Sequence, residues 1–388
     1  MTNLQKAIQR ELRIFREMAA LDGLNIVEAS KAAFCKARRK LKATVFKELN
    51  KIVTNSFYQS KEIGTYRGHR ILGVDGSVPE MPCSDEIKEK FGVNTIRKDG
   101  KETYMGRILT VYDTINNITL YGALESNKKS ENEMFRESLG SLQLDKNDIL
   151  VFDRLFASYF LFFYLDKIGV QFCFRMKNNW WREVRNFNAS GKESSVVTLR
   201  LPAKDKEEAK KYGITAKTIR CRLTKIKLES GETEILLSSL VNEDIYSVLD
   251  TKIIYGLRWP IEDSYKTLKH KVCIENFSGK SYKAVMQDFY AKIFIMNLTA
   301  VAVHPVNEAL KKKPKSKRQK HTHQVNIIEA IMTMKRAVVS FFLTDQIENG
   351  LKRLYERISK ITEPIRHGRK YKRNHQPKRK YYMNYKPV

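Results

Sequence analysis

Residues 148–176 read DILVFDRLFASYFLFFYLDKIGVQFCFRM. The opening run, 148–153, is apolar between two acids and too short for a helix, so it reads as a buried strand ending on Asp153. An apolar helix over 158–168 follows, then a second strand over 170–176. Upstream, 70–75 (RILGVD) is another short apolar run that ends in Asp-Gly. Residues 105–112 (MGRILTVY) and 118–124 (ITLYGAL) form two more strands, and the turn residues Asn116 and Asn117 between them make a hairpin. A helix fits 131–142. The chain therefore runs strand, strand, strand, helix, strand, helix, strand, with Asp75 and Asp153 at the C-terminal ends of the first and fourth strands.

This is the order of a ribonuclease-H-like core. In such a core the first and fourth strands are neighbours, which would join Asp75 and Asp153 across 78 residues of sequence. Sheets of this type carry their sites at strand ends. A third acid is expected on a helix, and Glu262 stands in a run with Tyr255, Arg258 and Lys269. On one straight helix these four side chains would share an arc of roughly 60°. Pro260 interrupts that picture, because it cannot donate to the carbonyl four residues back. Either the helix kinks there or a new one starts near Trp259, leaving only Glu262 and Lys269 on a common helical face.

Between Asp153 and Glu262 lie 109 positions, more than one strand and one connection need. The surplus, 178–250, reads as a β-rich insertion. Within it, strands over 218–228 and 234–240 flank a turn at 229–232. The apolar phase switches from odd positions (Cys221, Leu223) to even ones (Ile226, Leu228), which a bulge near Thr224 would reconcile.

Outside the core, residues 1 to about 60 show helical spacing. The run Lys36, Arg38, Arg39, Lys40, Lys42 reads either as a solvated face or as part of a small DNA-binding bundle. Further helices fit 284–303, 325–343 and 346–361. The Lys-rich stretch 311–320 reads as an exposed loop. The tail 366–388 contains no acid and interleaves basic residues with Tyr371, Tyr381, Tyr382 and Tyr385, a composition expected to be disordered and suited to stacking on nucleic acid. The expected domains are 1–65, a helical DNA-binding region; 66–177 and 251–305, the two parts of the core; 178–250, the insertion; and 306–388, a basic C-terminal region.

The 388 residues carry 72 Lys and Arg against 43 Asp and Glu, a formal charge of +29. Such an excess favours a polyanionic partner, since each neutralised phosphate releases counterions. Five scattered cysteines without a Cys-x-x-Cys pair fit a reducing compartment. His321 and His323 have no Cys or carboxylate at ligand spacing. The N-terminus lacks an apolar signal core and the apolar stretches read as too short to cross a bilayer, so a soluble cytoplasmic protein is expected.

Singly, each acid has an ordinary reading. Asp75 before Gly76 could mark a turn, Asp153 could belong to the cap of the next helix with Ser158, and Glu262 could be a first-turn Glu beside Pro260. Jointly they resemble the DDE transposases of bacterial insertion sequences, in the IS-four-like subgroup with a Tyr-x2-Arg-x3-Glu-x6-Lys signature. Tyr255, Arg258, Glu262 and Lys269 match it at every position. Asp75, Gly76 and Ser77 resemble the family's first-acid motif. Asp153, Arg154, Leu155 and Phe156 resemble the second, with Leu155 where the family usually has glycine. The likeness covers roughly 32–298.

The resemblance implies that Asp75, Asp153 and Glu262 are catalytic and hold two Mg²⁺ ions, with Mn²⁺ able to substitute. It implies that Tyr255, Arg258, Lys269 and Arg154 contact DNA, and that Trp180 or Trp181 is a candidate for holding a flipped base, against the plainer reading of both as core or rim aromatics. The implied partner is double-stranded DNA, bound by a homodimer at the nucleoid. Two rivals stand beside this reading: a metal-dependent nuclease, and a domesticated DNA-binding relative without catalysis.

Overall fold

A computed structural model describes residues 7–21, 23–60, 63–96, 100–228, 231–312, 321–343 and 347–366. The tail beyond 366, residues 313–320 of the Lys-rich stretch and Glu229 and Ser230 of the predicted turn lie outside the described residues. The chain divides into two compact units. One comprises 62–78 with 107–265, the other the described residues of 1–61, 79–106 and 266–388.

The first unit is built on strands β1 (Arg70–Ser77), β2 (Gly106–Asp113), β3 (Ile118–Ser126), β4 (Asp148–Phe152), β5 (Gln171–Met176), β6 (Ser194–Arg200), β7 (Thr218–Lys227) and β8 (Thr233–Ser238). They form one mixed sheet in the order β3-β2-β1-β4-β5-β8-β7-β6. β1 pairs antiparallel with β2 and parallel with β4, and β4 pairs parallel with β5. The first five strands thus have the predicted order and are consistent with a ribonuclease-H-like core. The sheet has eight strands rather than five, because β8 pairs antiparallel with β5 and carries β7 and β6 with it. The three strands of 178–250 therefore extend the central sheet, interspersed with helices Arg182–Ala189 and Lys206–Lys211.

Alternation along the central strands fills a core on each face. Leu72 and Val74, Leu150 and Phe152, Phe172 and Phe174 point to one face, where they meet Met134 and Phe135 of helix Glu131–Ser138 and the Phe160–Phe163 run of helix Tyr159–Lys167. Ile71, Ile149, Val151 and Cys173 point to the other, against Ile254 and Tyr255 of helix Val248–Gly256. The same two-sided burial explains the phase switch in β7. Ile219, Cys221 and Leu223 enter the first core and Ile226 the second. The register of β7 against both neighbours is unbroken through Thr224, so the strand has no bulge there. A pattern that looked like a change of phase is a change of which core the strand fills.

The second unit is largely helical, with Ile8–Leu21, Lys31–Lys40, Thr44–Tyr58, Tyr282–Lys312, Ile327–Leu343 and Ile347–Lys360. Helix Tyr282–Lys312 has the length and composition of a membrane span, contrary to the expectation that no apolar stretch is long enough. Two thirds of its most apolar window, 67%, is buried inside the protein. Arg38, from the basic run, is itself buried. It donates to Gln287 (2.6 Å) and to Asp288 (2.8 Å), so it is neither a solvated charge nor open to a partner. His323 lies in a short strand, His323–Val325, paired with Thr362–Pro364.

Candidate active site

The parallel register of β1 and β4 runs from Arg70 opposite Asp148 to Val74 opposite Phe152. Asp75 and Asp153 are the next residues on the two segments, with Asp75 still in β1 and Asp153 just past the end of β4. By alternation both belong to the face of Ile71 and Val151, the face that Tyr255 covers. β1 does not stop at Asp75 as its sequence suggested. It continues to Ser77 because β2 still pairs with it after β4 has ended. Asp153 occupies the N-cap position of a short 3₁₀ turn, Arg154–Phe156, without donating or accepting a capping bond through its side chain. The next helix, Tyr159–Lys167, is capped by Ser158, which accepts from the Leu161 N–H at 3.3 Å. Leu155 is exposed and its backbone is not left-handed, so the missing glycine imposes no strain, while Phe156 anchors the turn in the core.

Of the two readings of 255–269, a kinked helix or a new start near Trp259, the structure has the new start, and the run falls into three pieces. Helix Val248–Gly256 ends after Tyr255, a turn holds Arg258 and Trp259, and helix Pro260–Lys266 starts anew. Pro260 at the first helical position loses no bond, since that N–H would have had no partner. A π-helical turn, Thr267–Lys271, follows and carries Lys269, and there the Val272 N–H donates to the carbonyl five residues back, Thr267 O, at 2.9 Å. The backbone from 267 onward is thus not the regular α-helix that the spacing argument assumed.

Arg258 ties the acids together. Its guanidinium donates to Glu262 at 2.6 Å and lies 3.7 Å from Asp75. Asp75 accepts from the Gly76 N–H at 2.9 Å. Tyr265, three residues beyond Glu262, donates its hydroxyl to the Asp75 carbonyl at 2.7 Å and accepts from Thr110 at 2.9 Å, which pins the Glu262 helix to β1 and β2. A Cβ on Gly73 would meet Ile261 of that helix at an ordinary contact distance of 3.5 Å and crowd Thr114 at 3.2 Å. Burial pushes the Asp75 carboxyl up to about 6. The Glu131 and Glu262 charges add to this, and the Gly76 N–H and Arg258 oppose it. The Tyr255 hydroxyl and the Arg258 Nε are buried with no hydrogen-bond partner among the described residues. Buried polar groups of this kind are usually satisfied, and an anionic oxygen would satisfy both.

Of the residues named from the sequence, Asp75, Arg258 and Glu262 are joined by ion pairs in the first unit, Tyr255 covers the Ile71 and Val151 face, and Asp153 follows the end of β4. Lys269 belongs to the second unit. Arg154 is exposed on the turn after β4. Trp181 stacks on Tyr159 at 4.1 Å and is a packed aromatic, whereas Trp180 is exposed with Lys177 over its ring at 3.7 Å. Sequence reasoning missed Tyr265, whose spacing of three from Glu262 on one helix was a usable signal. It also missed Arg175 and Glu234, paired at 3.0 Å across β5 and β8, and Glu131, which no local pattern marks.

Among the described residues no three acidic, Cys or His side chains already converge as a metal cage. The donor chemistry nevertheless fits a hard divalent cation. All candidate donors are carboxylate oxygens, and Asp75, Asp153, Glu262 and Glu131 outnumber the guanidiniums paired with them, Arg258 and Arg107.

A mixed sheet with carboxylates gathered where its parallel strands end defines a protein of the acid-centred α/β class. The particular family follows from comparison: the transposase DDE domain model matches residues 66–298, and the chain belongs to that family. Comparison with curated proteins gives no match. Among solved structures, a piggyBac transposase synaptic complex with hairpin DNA is similar at 13% identity and a TM-score of 0.42, over 85% of this chain and 65% of that one. This chain thus spans 65% of the length of that relative.

Proposed function

We propose that this chain is the transposase of a bacterial insertion sequence in the Tyr-x2-Arg-x3-Glu-x6-Lys subgroup, with a ribonuclease-H-like catalytic core. It binds the terminal inverted repeats of its element and catalyses DNA strand cleavage and strand transfer. The observation that carries this reading is the parallel pairing of β1 and β4, which ends at Val74 and Phe152 just before Asp75 and Asp153, with Glu262 joined to Asp75 through Arg258.

Asp75, Asp153 and Glu262 would hold two Mg²⁺ ions, with Mn²⁺ as a substitute. The chemistry supplied by bound ions is activation of the attacking water or 3′-hydroxyl and stabilisation of the leaving oxygen. The chain's own residues position the rest. Arg258 offers a buried, preoriented guanidinium whose Nε is unused, and Tyr255 an unused hydroxyl, both suited to a phosphate beside the scissile bond. Lys269 and Arg154 add positive charge along the DNA backbone. Tyr265 holds the Glu262 helix against β1.

In this reading residues 1–65 and the basic region 306–388 add affinity for double-stranded DNA, 178–250 is the insertion, and 66–177 with 251–305 form the core. A homodimer brings two element ends together in the cytoplasm, at the nucleoid. The test is cleavage of a labelled duplex carrying the element's terminal repeats, comparing wild type with Glu262→Gln. The variant is expected to retain binding in a gel shift and to lose cleavage by a hundredfold or more, since cation-based stabilisation is worth several kcal/mol. Undiminished cleavage by the variant would refute the assignment. Joining of the cut end to a second duplex separates a transposase from a simple nuclease.

A further inference from the structure

Glu131 opens helix Glu131–Ser138, on the opposite face of the sheet from Asp75. Its side chain is largely buried, 18% exposed, and is paired with Arg107 at 3.2 Å. Arg107 is held in turn by Asn127, through its carbonyl at 3.2 Å and its side-chain oxygen at 2.9 Å. The carboxylate occupies the space that a side chain at Gly76 would fill. A Cβ on Gly76 would sit 2.2 Å from Glu131 Oε1 and 2.3 Å from Glu131 Cδ. Gly76 has no left-handed backbone that would demand glycine, so the close approach of Glu131 is what excludes a Cβ. From this position Glu131 acts electrostatically on Asp75, and Asp153 acts on Glu131.

We propose that Glu131 is a positioning residue of the acid centre: a fourth carboxylate, seated through the gap at Gly76, that sets the charge behind Asp75 and so strengthens the hold of the centre on a divalent cation. The inference rests on the function proposed above. The physical reason is that β4 has ended by this level and Gly76 has no side chain, so a carboxylate on the far face lies directly against the backbone next to Asp75. Outer groups that orient or charge a ligand typically change metal affinity 10- to 100-fold. A purely structural Glu131 would serve only to pair Arg107.

The experiment compares wild type, Glu131→Gln and Gly76→Ala. Gln keeps the size of the side chain and its ability to accept from Arg107, but removes the charge. Ala at 76 displaces the Glu131 side chain from Cγ outward while keeping its charge. Two readouts are taken: the rise in thermal midpoint on adding Mn²⁺ without DNA, and the Mn²⁺ concentration that half-saturates cleavage. Both variants are expected to need about tenfold more Mn²⁺ in each readout, with a larger change in metal requirement than in maximal rate. Binding of the terminal-repeat duplex in chelator should stay at the wild-type level. A wild-type Mn²⁺ response in Glu131→Gln, or in Gly76→Ala, would overturn this inference alone. Absence of any Mn²⁺ response in the wild-type protein would overturn it together with the metal-dependent function on which it rests.

Discussion

Replacing Asp75 by Asn should stabilise the metal-free protein while abolishing its activity. Burial, Glu131 and Glu262 push the Asp75 carboxyl from an ordinary value of 3.8 to about 6, despite the Gly76 N–H and Arg258. A folded-state value above the unfolded one means that the folded chain binds this proton more tightly. The contribution of Asp75 to stability is therefore least unfavourable at low pH, worsens as pH rises from about 4 to 6, and is constant above that. The difference corresponds to a cost of about 3 kcal/mol at neutral pH. Asn is isosteric, cannot ionise and still accepts from the Gly76 N–H, so it should recover about 1 to 3 kcal/mol of this. The assay is urea denaturation with chelator present at about pH 7.5 and again at about pH 4, where the upper midpoint should rise by roughly half to one molar and the gain should vanish at the acidic value. An Asn variant no more stable than wild type at neutral pH, or equally stabilised at both, would refute the account of Asp75 as a carboxylate held at a cost for its site.

Three further outcomes follow from the packing and from the charge of the tail. Tyr265→Phe removes the hydroxyl that joins the Asp75 carbonyl to Thr110, and should cost about 1 to 2 kcal/mol in denaturation and lower the cleavage rate without weakening DNA binding. Arg38→Met leaves Asp288, whose side chain is fully buried, without its cation, and should destabilise the helical unit by about 3 to 5 kcal/mol, read as a lower thermal midpoint. Deleting 367–388, which removes eight Lys and Arg, should flatten the plot of log binding constant against log salt by about 0.9 for each phosphate that the tail neutralises, and an unchanged slope would show that the tail does not bind DNA.

Several parts of this protein could be read in one dimension, and the reason is local. The strands around Asp75 and Asp153 are short apolar runs between turn residues, and the alternation within them is a property of the pleat alone. Their order named the neighbours in the sheet, so the pairing of the two strands that lead to acids 78 residues apart was legible. Pro260 likewise announced a new helix, since the missing N–H acts on the backbone whatever surrounds it. The spacing of Tyr255, Arg258, Glu262 and Lys269 was equally legible as a family resemblance.

What the sequence could not decide was which partner each surface would meet. The phase of β7 depends on having one core on each face, and no bulge was needed once both were present. The strands of 178–250 look like a separate hairpin until β8 finds the free edge of β5. Arg38 sits in a basic run yet is buried, because Asp288 and Gln287 come from a helix some 250 residues away. Glu131 is an unremarked first-turn glutamate until the gap at Gly76 admits it beside Asp75. Local geometry is written in spacing, and the meeting of distant segments is set by three-dimensional packing. The acids of this centre belong to the first kind, and the groups that hold and charge them to the second.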